Sequence, residues 1–371
     1  TTCKIEMIFS LKKIGQKLAD PTLLFYSLPW LICLLVAGTV AQKYMGLYQA
    51  QHMFFSSWIL WYGFLPLPGG RLTLALIFVT LAAKFLFKSK WSWSQSGIIL
   101  THFGVLLLFI GGFITAYNAK ESFILIPEGQ RTNILQDYYQ KGLYIKKDGA
   151  VLHYIPDHDL TLNSSIIIPN SPIRITPRAY CKNCTFKARE TDSNIPLYGL
   201  AQQIALSPIP DSIDEEANMG GVTLHITHAG DDIDGLYTTT EAAPHPIEID
   251  YKNAHYEIIF SRKETLLPFS IQLDKFEKIF HPGTEMAQHY SSTIQIIDDD
   301  TLWPAYIKMN EPLRYKGYTF FQSSYADTPL GPATILAVVE NKGRLFPYIA
   351  SLIIAVGLIL HLLILSIRRR G

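Results

Sequence analysis

Two histidines inside apolar runs and one closely spaced cysteine pair are the side chains whose types and positions suggest chemistry. His102 lies in SGIILTHFGVLLLFIGGFIT, and His361 lies in a run that ends at three arginines. An ionisable group at membrane depth is costly and indicates function by default, and imidazole is a common axial ligand of haem iron. For both histidines the alternative is structural: a hydrogen bond to a neighbouring helix for His102, and snorkelling toward the interface for His361.

The cysteine pair is Cys181 and Cys184, in the sequence CKNC. The chain has no second CxxC, so a zinc site would lack two ligands, and Thr185 follows where an attached c-type haem would need histidine. Outside the cytoplasm the pair forms either a structural disulfide or a thiol pair that exchanges with a partner. We favour the structural disulfide, and the exchange alternative stays open.

Four apolar runs of suitable length surround these residues. A bilayer core of roughly 30 Å needs about 20 apolar residues in a helix. The first run is interpreted as an uncleaved anchor, because three further spans follow it. The predicted organisation is an N-terminal segment 1–21, a span 22–41, a loop 42–71, a span 72–87, a loop 88–96, a span 97–117, a large domain 118–344, a span 345–367 and a C-terminal tail 368–371.

Positive charge beside the spans predicts their orientation. Lysines precede the first span and separate the second from the third, and arginines follow the fourth: Lys4, Lys12, Lys13, Lys17, Lys84, Lys88, Lys90, Arg368, Arg369 and Arg370. With four spans these clusters fall on one side, which the positive-inside rule identifies as the cytoplasm. Both termini are therefore expected in the cytoplasm and the domain 118–344 outside it. The aromatic loop 42–71 is expected in the outer interface.

Residues 118–344 read as a β domain. Short segments rich in Ile, Val, Thr, Tyr and Phe recur between turn residues, and Asp148-Gly149 is a strong hairpin signal. We predict an all-β sandwich or barrel-like domain, with helix possible only near 192–206 and an acidic surface loop at 207–221. The net charge of +1 gives no reason to expect a nucleic-acid partner. The chain has no phosphate-binding glycine loop, HExxH or GxSxG, so a hydrolase is not indicated.

Two stretches near the end of this domain resemble the ResB family of system II cytochrome c biogenesis. The first is LPFSIQLDKFEKIFHPGTEMAQHYSSTIQI (267–296), and the second is MNEPLRYKGYTFFQSSY (309–325). The second stretch is similar to the family signature at eight positions: Asn310, Pro312, Leu313, Tyr315, Gly317, Gln322, Ser324 and Tyr325. The third span and the turn 126–129 also resemble the family pattern.

The resemblance implies a function and partners. ResB proteins work in the bacterial inner membrane with a CcsA-type partner, carry haem b across it transiently, and present it to apocytochrome c at the periplasmic face. His102 matches the family's intramembrane ligand. The chain lacks a tryptophan-rich haem-handling loop, so the attachment site is expected on the partner and this chain is expected to be a non-catalytic subunit. The rival hypotheses are a thiol-redox protein that uses Cys181 and Cys184 with thiol-disulfide oxidoreductases, and a membrane-anchored docking module.

Overall fold

The computed structural model describes residues 13–189, 194–284 and 287–370, which form two compact units. The helical unit comprises the chain up to Lys120 together with the part from Glu340 onward, and the β domain spans Glu121–Val339. Lys4 and Lys12, which contribute to the predicted orientation, lie outside the described residues, as do Asp192 and Ser193 of the segment 192–206.

Four helices of the helical unit are long and apolar enough to cross a membrane. They are α1 (Pro21–Ala50), extended by a π-helical turn (Gln51–Phe55), α2 (Gly70–Ala83), extended by a second π-helical turn (Lys84–Lys88), α3 (Ser96–Asn118) and α4 (Phe346–Arg370). Asp20 caps α1, because its side chain accepts a hydrogen bond of 2.9 Å from the backbone N–H of Thr22. The four predicted spans are therefore present as helices.

The first helix is longer than the predicted span 22–41. Helical structure continues to Phe55, because residues 42–55 contain no proline and their single glycine, Gly46 (φ 81°), interrupts the helix without ending it. Only the last part of the predicted loop 42–71 leaves the helix. It forms an aromatic hairpin of β1 (Ile59–Tyr62) and β2 (Leu65–Pro68).

Glycines spaced seven residues apart bring α3 and α4 into close contact. A Cβ on Gly97 would overlap the backbone of His361, one on Gly104 would lie 2.7 Å from Ile354, and one on Gly111 would overlap Phe346. The contacts run in opposite directions along the two helices, so the pair is antiparallel. Small residues at such positions let helix backbones approach closely in a membrane.

The β domain lies between α3 and α4 in the chain, and the all-β prediction is confirmed. Its strands are β3 (Lys120–Pro127), β4 (Arg131–Lys147), β5 (Ala150–Pro156), β6 (Ile166–Ile167), β7 (Arg174–Cys181), β8 (Cys184–Ala188), β9 (Leu197–Tyr198), β10 (Ile204–Pro208), β11 (Gly221–Thr227), β12 (Gly235–Thr240), β13 (Ile247–Tyr251), β14 (Ala254–Phe280), β15 (Ala287–Asp298), β16 (Thr301–Lys308), β17 (Leu313–Tyr315), β18 (Tyr318–Thr328) and β19 (Gly331–Glu340).

A ten-stranded sheet dominates the domain and curls so that its two edges approach. Its main path runs β16-β15-β14-β4-β3-β19-β18-β17. Off this path, β5 pairs with β4 and β13 pairs with β14. Trp303 of β16 and Tyr315 of β17, at opposite edges, have ring centroids 5.8 Å apart. A five-stranded sheet, β6-β7-β11-β12-β9, and the pair β8-β10 complete the domain, which is therefore partly barrel-like.

The two longest strands run through two separate hydrophobic cores. The first half of β14 contributes Phe260 to one core, and the second half contributes Ile271 to the other. In the same way β4 contributes Leu143 to the first core and Leu135 to the second. The buried residues alternate along β14, so one face of that strand is buried over most of its length, whereas residues 141–145 of β4 are buried on both faces.

Two local predictions have opposite outcomes. Asp148 (φ 49°) and Gly149 (φ 78°) form the two-residue turn between β4 and β5, which confirms the hairpin predicted there. Within 194–206, by contrast, the structure has strands and a short 3₁₀ turn (Gly199–Gln202) in place of the suggested helix. Leu197 and Tyr198 pair with β12, so tertiary strand pairing decides the conformation of this segment.

Candidate functional site

His102 presents a free ring nitrogen from the second turn of the apolar helix α3. Its Nδ1 lies 2.8 Å from the carbonyl oxygen of Ile98, one turn earlier in α3. Since a carbonyl oxygen only accepts hydrogen bonds, Nδ1 carries the proton and Nε2 keeps its lone pair. A backbone carbonyl that fixes the tautomer in this way is a common second partner of metal-binding histidines. The half-buried imidazole thus fits the requirements of an axial ligand.

His361 lies at the α3–α4 contact. Its backbone packs against Gly97, and its Nδ1 is buried without a hydrogen-bond partner among the described residues. A buried imidazole nitrogen without a partner is costly, so this atom is suited to receive a ligand or a proton donor from outside the chain.

The structure does not bring the two histidines together. His102 is five residues beyond Gly97, which corresponds to about 7.5 Å along α3 and about 140° around it. His361 lies at the level of Gly97, on the side of α3 that faces α4. Both residues lie toward the same end of their helices, as the sequence predicts, but the His361 backbone lies on a different side of α3 from His102. We therefore treat them as two separate candidate positions.

Cys181 and Cys184 form a disulfide. The two cysteines are only 5 % and 6 % exposed. The bond closes the turn between β7 and β8 at Lys182 and Asn183. Thiol exchange requires a path for an attacking thiolate, which such burial does not provide.

The acidic loop predicted at 207–221 is fastened to this cysteine turn. Lys182 Nζ lies 2.6 Å from Glu215 and 3.1 Å from Asp211, and the Asn183 amide donates to the Pro210 carbonyl. Part of the acid cluster of this surface loop is therefore paired with Lys182. The disulfide and these contacts together hold the loop in place.

An apolar cavity of about 710 Å³ opens at the end of the helical unit that carries Lys84, Lys88 and Lys90. The π-helical turn, the following loop, α3 and α4 line it, chiefly through Phe85, Trp91, Trp93, Ile99, Phe103 and Leu360. Sequence reasoning overlooked this cavity. The signal was the WSW sequence directly after the lysines, which has the composition of a membrane-interface belt.

The signature residues in 309–325 mainly build the end of the curled sheet. Gly317 (φ 88°) and Lys316 (φ 44°) form the two-residue turn between β17 and β18, a conformation that favours glycine. Tyr315 donates a hydrogen bond to Asp298 at the end of β15. The signature therefore connects β17 and β18 to the neighbouring strands.

Gln322 belongs to a buried polar network inside the second core. The Ser292 hydroxyl donates to the Gln322 side-chain oxygen at 2.7 Å and lies 2.9 Å from Thr334 Oγ1. The Gln322 side-chain nitrogen donates to Thr334 and to the Ser324 carbonyl. Because buried polar groups must be paired, this network fixes the register of β15, β18 and β19. Its role is structural.

Asp298 gives the contact between β15 and β17 a pH dependence. The ammonium group of Lys316, at 2.6 Å, and the Tyr315 hydroxyl lower the pKa of Asp298. A carboxylate whose pKa is lowered on folding stabilises the fold above its unfolded pKa, about 4, and loses that effect as the pH falls through the folded value.

At neutral pH we expect slower hydrogen exchange at the amides of β17 in the wild type than in Asp298→Asn. The difference should vanish in acid, and equal exchange at neutral pH would contradict it.

The sequence model of the ResB-like family matches residues 252–342. This range contains β14 to β19 and the whole signature segment. The protein NrfI of Wolinella succinogenes is 25 % identical over 270 residues, which cover 71 % of this chain and 27 % of NrfI. The chain thus spans about a quarter of the length of that relative. The predicted resemblance to the ResB family is confirmed, and residues 252–342 are the part of the chain that the family model matches.

Proposed function

We propose that this chain is a ResB-type subunit of a cytochrome c assembly complex. In this proposal it works with a CcsA-type partner to move haem b across the membrane and to present it to apocytochrome c, whose thiols join the haem on the partner. The observation that carries the proposal is His102, an imidazole on an apolar helix with Nδ1 bonded to a carbonyl and Nε2 free. Haem iron in hydrocarbon needs such a ligand.

The second axial ligand comes from the partner in this proposal. The His361 backbone packs against Gly97, which lies about 140° around α3 from His102, so the partner would supply any second ligand to an iron held by His102. The side of α3 that bears His102 points away from the α4 contact, and Phe109, two turns further along that side, packs against Phe78 of α2. His102 would hold the haem iron in this proposal, and a residue of the partner would supply a further ligand.

The arrangement of charge supports an inner-membrane location with both termini in the cytoplasm. The lysines after α2 precede the start of α3, and α4 is antiparallel to α3 and ends in arginines. These positive groups therefore lie at one end of the helical unit, as the positive-inside rule requires of a cytoplasmic face. The β domain follows α3 and precedes α4 in the chain, so the same rule assigns it to the periplasm.

The β domain is the part proposed to meet apocytochrome c. Strand β16 lies at an edge of the ten-stranded sheet and exposes Leu302, Trp303 and Tyr306, which are 64 %, 57 % and 51 % exposed. Exposed apolar side chains of this kind suit contact with an extended, unfolded peptide.

The His102→Ala variant tests the proposal. We expect the purified complex with the CcsA-type partner to lose most of its Soret absorbance, because the iron loses a ligand. Added imidazole should restore the spectrum by filling the space of the missing ring. His153→Ala, a histidine in the β domain, is the control and should leave the spectrum unchanged. Unaltered haem content and ligation in His102→Ala would contradict the proposal.

The Cys181→Ser/Cys184→Ser variant separates this function from a thiol-redox function. The disulfide is buried and fastened to the loop 207–221. We therefore expect the double variant still to support maturation of c-type cytochromes, at a level proportional to the amount of folded protein. Loss of the disulfide removes a short-loop constraint of about 2 kcal/mol, so protease resistance of that loop should fall. Complete loss of maturation at normal protein level would favour the redox function instead.

A further inference from the structure

The chain that connects α1 to α2 folds back along α1 before it forms the aromatic hairpin. A Cβ on Gly38 of α1 would overlap the ring of Phe55, although Phe55 follows Gly38 by 17 residues. Along a straight helix this separation would place the two residues about 25 Å apart. The reversal occurs at Gly46, whose backbone (φ 81°, ψ 166°) has a conformation that favours glycine. Residues 47–55 therefore run back along α1.

Helix geometry gives the depth at which the hairpin begins. Gly38 lies 17 residues after Pro21, the first residue of α1, which corresponds to about 25 Å. Gly70, whose Cβ would overlap the backbone of Phe55, lies 18 residues before Lys88, or about 27 Å. Both distances are shorter than the roughly 30 Å of a hydrocarbon core. With the lysine-bearing end of the helices at one membrane boundary, the hairpin therefore begins inside the core.

A hydrogen bond to α1 holds the base of the hairpin deeper still. The indole N–H of Trp30 donates to the carbonyl oxygen of Pro68, the last residue of β2, at 2.9 Å. Trp30 precedes Gly38 by eight residues, about 12 Å along α1 toward the lysine-bearing end. The Pro68 carbonyl therefore lies below the level of Gly38. In hydrocarbon both groups of this bond would need a partner, and each serves the other.

The outer edge of β2 lacks the backbone donors that lipid could not satisfy. The two-residue turn Gly63-Phe64 joins the strands, and antiparallel pairs alternate between hydrogen-bonded and non-hydrogen-bonded. By this alternation positions 66 and 68 belong to non-hydrogen-bonded pairs, in which an N–H would point away from the hairpin. Both positions are proline, which has no N–H. This edge suits lipid, and a further strand could not pair along it.

The side chains of the hairpin are apolar and aromatic as well. Residues 44–70 contain no Asp, Glu, Lys or Arg, and Lys43 and Arg71 flank them. Tyr62 and Phe64, at the turn, are 77 % and 94 % exposed. A continuous apolar surface marks contact with a membrane or with another protein. The depth of the hairpin and the missing edge donors favour the membrane.

We propose that residues 47–69 form a re-entrant element whose aromatic hairpin lies in the lipid hydrocarbon of the leaflet opposite the lysine-bearing end, with Phe64 among the acyl chains. The inference takes the loop 42–71 from the interface predicted for it to a position below the interface, and it does not depend on the proposed function. Such an element fixes the depth of α1 and α2, because lifting it would expose its aromatic side chains to water.

A spin label at position 64 tests the depth of the hairpin. Phe64→Cys is made in a Cys3→Ser/Cys33→Ser background, in which Cys181 and Cys184 stay joined in their disulfide. Full-length protein in phosphatidylcholine nanodiscs is labelled with a nitroxide, and collisions of the label with oxygen and with a water-soluble nickel complex are compared. Oxygen concentrates in hydrocarbon and the nickel complex in water. We therefore expect the label to collide several-fold more often with oxygen.

The matched control is Val151→Cys in the same background. It labels a residue of 55 % exposure next to another two-residue hairpin turn, Asp148-Gly149 in the β domain, where the nickel complex should dominate. Nickel dominance in Phe64→Cys would place the hairpin in water and overturn the proposal. A label shielded from both reagents would show protein around it, which would overturn the proposal equally. Tyr62→Cys provides the same measurement at a second position if Phe64→Cys does not fold.

Discussion

Replacing Phe320 with alanine is expected to destabilise the β domain by about 3–5 kcal/mol, the usual effect of removing a fully buried phenylalanine. Phe320 is 0 % exposed in the second core, where it packs against the ring of Phe269. Its neighbour Phe321, on the opposite face of β18, is 40 % exposed. The two consecutive phenylalanines of the signature thus form a matched pair with very different burial.

Pulse proteolysis of the full-length protein in urea measures this difference. The urea midpoint for cleavage within the β domain should fall strongly in Phe320→Ala and by less than the equivalent of about 1 kcal/mol in Phe321→Ala, because surface truncations cost little. Similar midpoints for the two variants would contradict the strand alternation. A large loss of c-type cytochrome maturation in Phe321→Ala, without a change in the urea midpoint, would instead indicate that Phe321 contacts a partner.

Gly97→Ala is expected to weaken the α3–α4 pair by roughly 3 kcal/mol, the upper end of overpacking effects. The added methyl group would overlap the backbone of His361 and approach the Gly357 carbonyl within 2.7 Å. Backbone atoms cannot rotate away as a side chain does, so the helices must separate. Since His361 lies at this contact, its imidazole should shift as well.

Unfolding in mixtures of SDS and mild detergent, followed by helical circular dichroism, measures the effect. Gly112→Ala is the control, because a Cβ there meets no atom within 4 Å. Alanine is also the better helix former by about 1 kcal/mol, so the control should be neutral or slightly stabilised. If Gly97→Ala unfolds at the same SDS fraction as Gly112→Ala, the close approach of α3 and α4 is wrong.

The elements of this protein were largely predictable because their signals are local. Uninterrupted apolar runs identify four helices, and the Asp148-Gly149 turn follows from the positive φ angles that these residues accept. The end of the first helix was not predictable in this way. The predicted span ends at Ala41 because about 20 apolar residues suffice to cross a bilayer, whereas the absence of proline allows the helix to continue to Phe55.

The β domain shows the limit of local signals more clearly. Alternation indicates strands, but β14 alone serves two cores, and its partners β4 and β15 are distant from one another in the chain. Strand pairing depends on the burial of side chains over the whole domain, so the pairing is not encoded in any single segment. The signature around Gln322 was recognisable as a motif, yet its structural role became apparent only from its bonds to Ser292 and Thr334.

At the candidate site, local signals in the sequence are sufficient to place two histidines in apolar helices and to identify one cysteine pair. Long-range packing sets the position of His361 against Gly97, directs His102 away from that contact, and buries the disulfide in the turn that is fastened to the loop 207–221. The physical reason is that helix periodicity fixes only relative angles within one helix. Which face meets a neighbour depends on where small residues allow close approach, and here the spacing of Gly97, Gly104 and Gly111 sets that face.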